Sequence, residues 1–131
     1  MMDFYLKENG VRTSFEYGQL NISGDENFGF RPYQLMVASI AGCSVGVFRK
    51  ILDKQRIEIE DLKVTAEIKR NAEEANRIED IHLHYVVKGY HLNEDRLHKN
   101  LEISRKNCSM VQSVKNSINV EETLECIHLS Q

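Results

Sequence analysis

From Pro32 to Phe48 the chain runs PYQLMVASIAGCSVGVF without one charged side chain, and this stretch holds the only proline and one of the three cysteines. No other segment narrows the choice of fold so far. It is slightly short for a membrane span, and Tyr33, Gln34, Ser39, Gly42, Ser44 and Gly46 dilute it, so it reads as a buried helix. Proline suits a first helical turn, where its missing N–H would be unpaired anyway. The helix is expected from about residue 33 to Lys54. Met36, Ile40, Cys43, Val47 and Ile51 form one stripe at spacings of three and four, and Leu35, Ala38, Gly42 and Phe48 or Val45 supply other faces. A helix apolar nearly all round belongs in an interior. Its small residues, Ala38, Ser39, Ala41, Gly42, Ser44 and Gly46, leave room for another backbone. Its two glycines each cost about 1 kcal/mol of helix propensity, which a close contact would offset.

Around this helix the chain alternates between strand and turn signals. Residues 2–6 and 13–23 read as strands joined through Asn9-Gly10, a hairpin dipeptide, with Gly18 marking a second turn. SGDENFGFR has the composition of a loop. In IEIEDLKVTAEIKR the apolar positions Ile57, Ile59, Leu62, Val64, Ala66 and Ile68 alternate with polar ones. The phase slips at Glu60-Asp61, so either a bulge sits there or a strand starts after it. NAEEAN reads as a loop, and RIEDIHLHYVVKGY as a second long strand with Ile81, Leu83, Tyr85 and Val87 on one face, closing an antiparallel hairpin. LNEDRLHKNLEISRKNCSMVQSVKNS is helical, with Asn93 as N-cap, Glu94 and Asp95 in the first turn, and Leu97, Leu101, Ser104 and Cys108 on one face. INVEETLECIHL is a closing strand. This order of elements predicts an α+β architecture in a single domain, residues 1–131.

Composition excludes several classes. Apolar residues make up 41% and charged residues 28%, and the formal net charge is −3, so the chain is globular rather than disordered. No basic stripe with interleaved aromatics points to nucleic acid. MMDFYLKENG lacks the apolar core of a secretory signal, so a cytoplasmic location is expected, where cysteines stay reduced. His82 and His84 share a strand face, but no third ligand accompanies them, so they read as a solvated polar face and no metal is proposed. No phosphate-binding glycine motif occurs, and no cofactor is expected.

The cysteines leave two readings open. Cys43 on an apolar helix is either packing filler or a nucleophile that needs a cationic or dipolar partner. Cys108 follows Arg105 and Lys106, which would favour a thiolate if they turned toward it and otherwise belong to a solvated face. Cys126, in LECIHL, reads as inert or as a surface thiol. No pair has C-x-x-C spacing, so neither a thioredoxin-type motif nor a zinc knuckle is supported.

The order RPYQLMVASIAGCSVGVFRKIL, long β-hairpin, LEISRKNCSMVQSVKNSINV resembles the OsmC/Ohr family of thiol peroxidases: a proline, a small-residue run with a cysteine in a buried helix, and about 65 residues later a second cysteine ending a Leu-rich helical segment. The resemblance covers the chain from about residue 13 to its end. It implies an OsmC-like α+β protomer, an antiparallel sheet packed on a long buried central helix, assembled as an intertwined homodimer. Cys43 would be the peroxidatic and Cys108 the resolving cysteine, so that a Cys43 sulfenic acid closes to a disulfide that an external dithiol reduces. An arginine supports the first thiolate in the family, and Arg12 in GVRTSF is the candidate, with Arg31 the second. The chain departs from the family in two places: Tyr33 stands where a glutamate often follows the helix proline, and Ser109 stands where a proline often follows the second cysteine. Apolar surroundings of Cys43 imply an organic hydroperoxide substrate, with Tyr33, Met36 and Ile40 as the candidate lining. The alternative is an OsmC-like binding or redox-sensing protein with little turnover, which the missing glutamate favours. A homodimeric scaffold with inert buried cysteines is the third reading.

Overall fold

A computed structural model describes residues 1–130. The chain divides into two compact units, Met1–Ala38 and the remainder from Ser39 onward. The first holds β1 (Tyr5–Lys7), β2 (Gly10–Ser14) and β3 (Gln19–Ile22) in one antiparallel sheet of order β1-β2-β3. Two shorter strands therefore replace the expected strand 13–23. The first turn is centred one residue earlier than expected, on Glu8-Asn9, because Lys7 pairs with Gly10. Gly10 then has φ +104°, and a Cβ there would come 2.1 Å from the Ile22 carbonyl oxygen, so only glycine fits. The turn at Gly18 is present and is closed in both directions by Phe15 and Gly18 backbone hydrogen bonds. Gly29 carries the following loop against β3, where a Cβ would come 2.8 Å from the Asn21 carbonyl.

α1 runs from Pro32 to Lys54, close to the expected span, and the boundary between the units falls inside it. By length and composition it could cross a bilayer. Its buried face differs from the expected stripe: Val37, Ile40, Ser44, Phe48 and Leu52 are buried, while Met36 is 45% exposed and Cys43, Val47 and Ile51 are half-buried. Only Ile40 belongs to both sets. A helix apolar on most sides carries no periodicity that selects one face, and the selection here includes a buried serine held by side-chain hydrogen bonds.

The second unit is built on a sheet of order β4-β5-β6. β4 (Asp61–Asn71) starts after the phase slip, and the register shift lies instead between Lys69 and Arg70. A 3-10 turn (Ala72–Glu74), capped by Asn71 Oδ1 at 3.0 Å from the Glu73 N–H, leads to β5 (Arg77–Gly89). β4 and β5 are antiparallel as expected. β6 (Asn119–His128) pairs with β5 in parallel, so the expected antiparallel sheet is mixed at this edge. The helical connection explains this, since a parallel pair requires a crossover that returns the chain to the same end of the sheet. That crossover is α2 (Glu94–Asn107) and α3 (Ser109–Ser113), where a single helical segment was expected. It breaks at Cys108, whose φ of −83° and ψ of 111° are extended. Asn93 caps α2 as expected, its Oδ1 accepting from the Arg96 N–H at 3.1 Å.

One sheet face carries Leu62, Val64, Ala66 and Ile68 against Val87, Tyr85, Leu83 and Ile81 in register, then Val120, Glu122 and Leu124 of β6. The anticipated β5 residues Ile81, Leu83, Tyr85 and Val87 are all at most 1% exposed. Phe48 meets Tyr85 edge-on with ring centroids 5.3 Å apart, which seats the later part of α1 on this face. Asn100 of α2 and Gln55 after α1 exchange amide hydrogen bonds at 2.8 and 2.9 Å.

Candidate active site

Two helix segments bring Cys43 and Cys108 together. On α2 the face Leu97, Leu101, Ser104 and Cys108 is buried as expected, and Ser104 Oγ donates to the Ser44 carbonyl at 3.1 Å, tying α2 to α1 one residue beyond Cys43. The break after Asn107 places Cys108 at the start of α3 and aims the α3 amides at the Cys43 sulfur. Cys43 Sγ lies 3.6 Å from Ser109 Oγ, and its thiol is within hydrogen-bonding reach of the Cys108 side chain.

The two thiols are driven apart in acidity. The Met110 N–H, then the Ser109 hydroxyl and the Cys108 thiol, hold Cys43 below the usual thiol range against the opposing effect of burial. Burial pushes Cys108 above that range, and an ionised Cys43 beside it adds to the rise. Cys43 is half-buried, Cys108 is wholly buried, and neither is oxidised. Of the two readings left open for Arg105 and Lys106, the exposure of Lys106 fits the solvated face, and Arg105 acts on the Glu122 carboxylate. Cys126 is half-buried on β6, and burial raises its thiol too.

Under the thiol pair lies a polar cluster that sequence reading did not single out. Ser44, fully buried, makes a short hydrogen bond with Tyr85 Oη and donates to Glu122 Oε2 at 3.1 Å. Burial pushes both Tyr85 and Glu122 up. A signal for Glu122 was present: it falls in phase with the apolar Val120 and Leu124 on β6.

The other anticipated residues fall as follows. Arg12 is exposed on β2, its guanidinium 5.0 Å from the Tyr5 ring centroid. Arg31 lies 4.9 Å over the half-buried Tyr33 ring. Met36 is exposed, and Ile40, at 1% exposure, is part of the core. A cleft of about 690 Å³ is bordered by Arg105, Val111, Lys115 and Val120, and the two cysteines do not line it. On the sheet, His82 Nε2 and His84 Nδ1 both meet Thr123 Oγ1 at 2.7 Å. Among the described residues no group of three His, Cys, Asp or Glu side chains is placed to hold a metal ion.

The chain is similar to several known proteins. Protein YhfA of Escherichia coli strain K12 is 25% identical over 97 residues, 73% of this chain and 72% of that protein. A crystal structure of a hypothetical protein from Aquifex aeolicus VF5 superposes with a TM-score of 0.87 at 26% identity, over 99% of this chain and 97% of the other. Two structures share the fold at lower identity. The OsmC-like protein of Mycoplasma pneumoniae has a TM-score of 0.84 at 14% identity, covering 98% and 96%. An organic hydroperoxide resistance protein OsmC from Legionella pneumophila has a TM-score of 0.72 at 17%, covering 95% of each chain. Residues 23–123, from just after β3 through the first half of β6 and including Cys43 and Cys108, match the OsmC-like protein family, to which this chain therefore belongs.

Proposed function

We propose that this protein is a thiol-dependent peroxidase that reduces organic hydroperoxides to alcohols. One observation carries the reading: Cys43 and Cys108 meet with opposite acidities, the more accessible thiol held toward thiolate and the buried one held as thiol. The Cys43 thiolate attacks a peroxide oxygen, the O–O bond breaks, and the alkoxide leaves and takes a proton. Cys43 is then a sulfenic acid. Cys108 attacks that sulfur, a disulfide forms, and the hydroxide leaves as water after protonation. An external dithiol, in a reducing cytoplasm, returns both cysteines to thiols. In this proposal Arg12 supports the first thiolate, and Tyr33, Met36 and Ile40 belong to the substrate side.

The functional unit in this proposal is a homodimer. Gly42 and Gly46 are exposed on α1, and a Cβ built on either meets nothing within 4 Å. The close contact that would offset two helical glycines is therefore absent from the single chain, and a second copy is what supplies it. The exposed Phe4, Tyr5, Leu6, Phe15, Tyr17, Phe28 and Phe30 support the same assembly.

A second reading, a redox sensor with little turnover, is favoured by Tyr33, which occupies the family glutamate position under the Arg31 guanidinium. Steady-state consumption of cumene hydroperoxide with dithiothreitol as reductant separates the two. A peroxidase turns over many equivalents, and Cys43→Ser reduces the rate to background. A wild-type protein that is oxidised once and then stalls in the presence of dithiol is a sensor.

A further inference from the structure

The cleft beside α3 has the size of a small-molecule site and no part in the chemistry of the thiols, neither of which lines it. Its volume of about 690 Å³ lies within the range of about 300–1,000 Å³ usual for ligand pockets. Its apolar lining is aliphatic: Val111 and Val120 are at most 4% exposed, and Ile118 is half-buried. Three cations stand around it, Arg105, Lys106 and Lys115. Among the described residues no hydrogen bond or ion pair occupies any of their side chains. Arg105 and Lys106 close the last turn of α2, where the helix dipole favours cations. Lys115 lies beyond α3, a five-residue helix whose last turn holds no basic residue, so the dipole does not account for it. Two acids share the lining. Glu79 is already committed, to Arg77 Nε at 2.8 Å and Asn71 Nδ2 at 3.2 Å, which leaves Glu102, exposed on α2. Arg105 also acts on the Glu122 carboxylate, and Lys106 and Lys115 still outnumber Glu102. The cleft is therefore left net positive.

The walls are set before any ligand arrives. Gln112 Nε2 donates to the Arg105 carbonyl at 3.1 Å and ties α3 to the end of α2. From Val114 to Ile118 the chain turns tightly through Asn116, at φ +81°. The Ser117 and Ile118 N–H groups donate there to the Val114 carbonyl at 3.0 and 2.9 Å. A cleft built in advance lowers the ordering cost of binding. We propose that it is a binding site for a medium-chain aliphatic carboxylate. The head group pairs with Lys106 and Lys115, assisted by Arg105, and the chain lies on Val111, Ile118 and Val120. Neither half of such a ligand is enough alone, since a bare anion leaves the aliphatic lining unused and a neutral chain leaves the cations unpaired. Among the described residues no aromatic side chain lines the cleft to stack on a base or ring, which favours an aliphatic body over a nucleotide. The site is independent of the peroxidase reading, because no thiol takes part in it.

The test is a titration of the reduced, isotope-labelled full-length chain with octanoate, octan-1-ol and acetate in parallel, followed by amide NMR. Octanoate should shift the amides of Lys106, Val111, Lys115, Ile118 and Val120 saturably, with a Kd about tenfold or more below that of either other probe. Lys106→Gln/Lys115→Gln, at two exposed positions, should raise the octanoate Kd by about tenfold or more. Lys50→Gln/Lys54→Gln removes the same charge from exposed positions on α1 and should leave that Kd unchanged. Equal affinity for octan-1-ol or for acetate overturns the assignment of ligand class. An octanoate Kd that both double variants shift alike, or that neither shifts, overturns the role of the cleft lysines. Shifts centred on the exposed Tyr17 and Phe30 in place of the cleft overturn the site itself.

Discussion

The two units of the chain differ in how they are held. From Ser39 onward, Ile40, Phe48, Leu52, Ile81, Leu83, Tyr85, Val87, Leu97, Leu101 and Val111 are all at most 5% exposed, and both site cysteines lie here. Before Ser39, Val37 is the one apolar side chain in the buried class, beside Thr13 and Ser23. Phe30 is 60% exposed, Leu6 89% and Tyr17 104%. A small sheet of short strands with so little covered surface is marginal by itself in water. The difference teaches that the unit carrying the two site cysteines buries a core of its own, whereas the N-terminal unit leaves apolar surface exposed, which under the proposed homodimer a second copy would cover.

The largest expected effect breaks this comparison on its stable side. Phe48→Ala removes the ring packed on Tyr85 and costs about 3–5 kcal/mol. Leu6→Ala, at an 89% exposed position, costs under about 0.5 kcal/mol in a single chain. Chemical denaturation at two protein concentrations reads both. In an assembly that covers β1, the Leu6→Ala cost grows with concentration, and a cost that stays flat argues against the dimer.

Gly42→Leu attacks the other side. Nothing stands within 4 Å of a Cβ at Gly42, so in one chain the substitution gains up to about 1 kcal/mol of helix propensity. Under the proposed homodimer it would obstruct a second copy, and light scattering should then give the 15.2 kDa chain mass in place of twice that value. Amide exchange in β1–β3 should accelerate in the same variant while β5 stays protected. An unchanged mass and unchanged exchange would remove the α1 face from the interface.

Most of the second unit was legible in the sequence. Strict alternation in β5, the Asn93 cap and the Leu97–Leu101–Ser104–Cys108 spacing each report one dominant local force. The face of α1 was not legible, because apolar residues on nearly every side make all rotations look alike. The break at Cys108 was also hidden, since nothing between Asn107 and Ser109 forbids continued helix. Glu122 sat in an apolar phase of β6 but looked like one more acid in VEET. Its hydrogen bond from Ser44 forms only in the tertiary fold. The pairing of Cys43 with Cys108 came from family resemblance, and spacing alone did not reveal it.

Smaller effects sharpen the view of the site. Cys43 is held below the usual thiol range and Cys108 above it. As pH falls from 9 to 7, Cys43 keeps more of its thiolate than Cys108 does, so iodoacetamide labelling mapped by mass should fall less at Cys43. Equal falls at both would contradict the division of acidity. Ser109→Ala removes the hydroxyl 3.6 Å from the Cys43 sulfur. At about 0.5–1 kcal/mol for such a bond, it should lower the Cys43 labelling rate at neutral pH by about two- to fivefold.

The most direct test of the account is thiol counting with mass mapping after one equivalent of cumene hydroperoxide is added to the reduced protein. Rapid loss of two thiols with a Cys43–Cys108 link, and Cys126 still free, is the predicted result. Three unreacted thiols after prolonged exposure would contradict the peroxidase reading at its root.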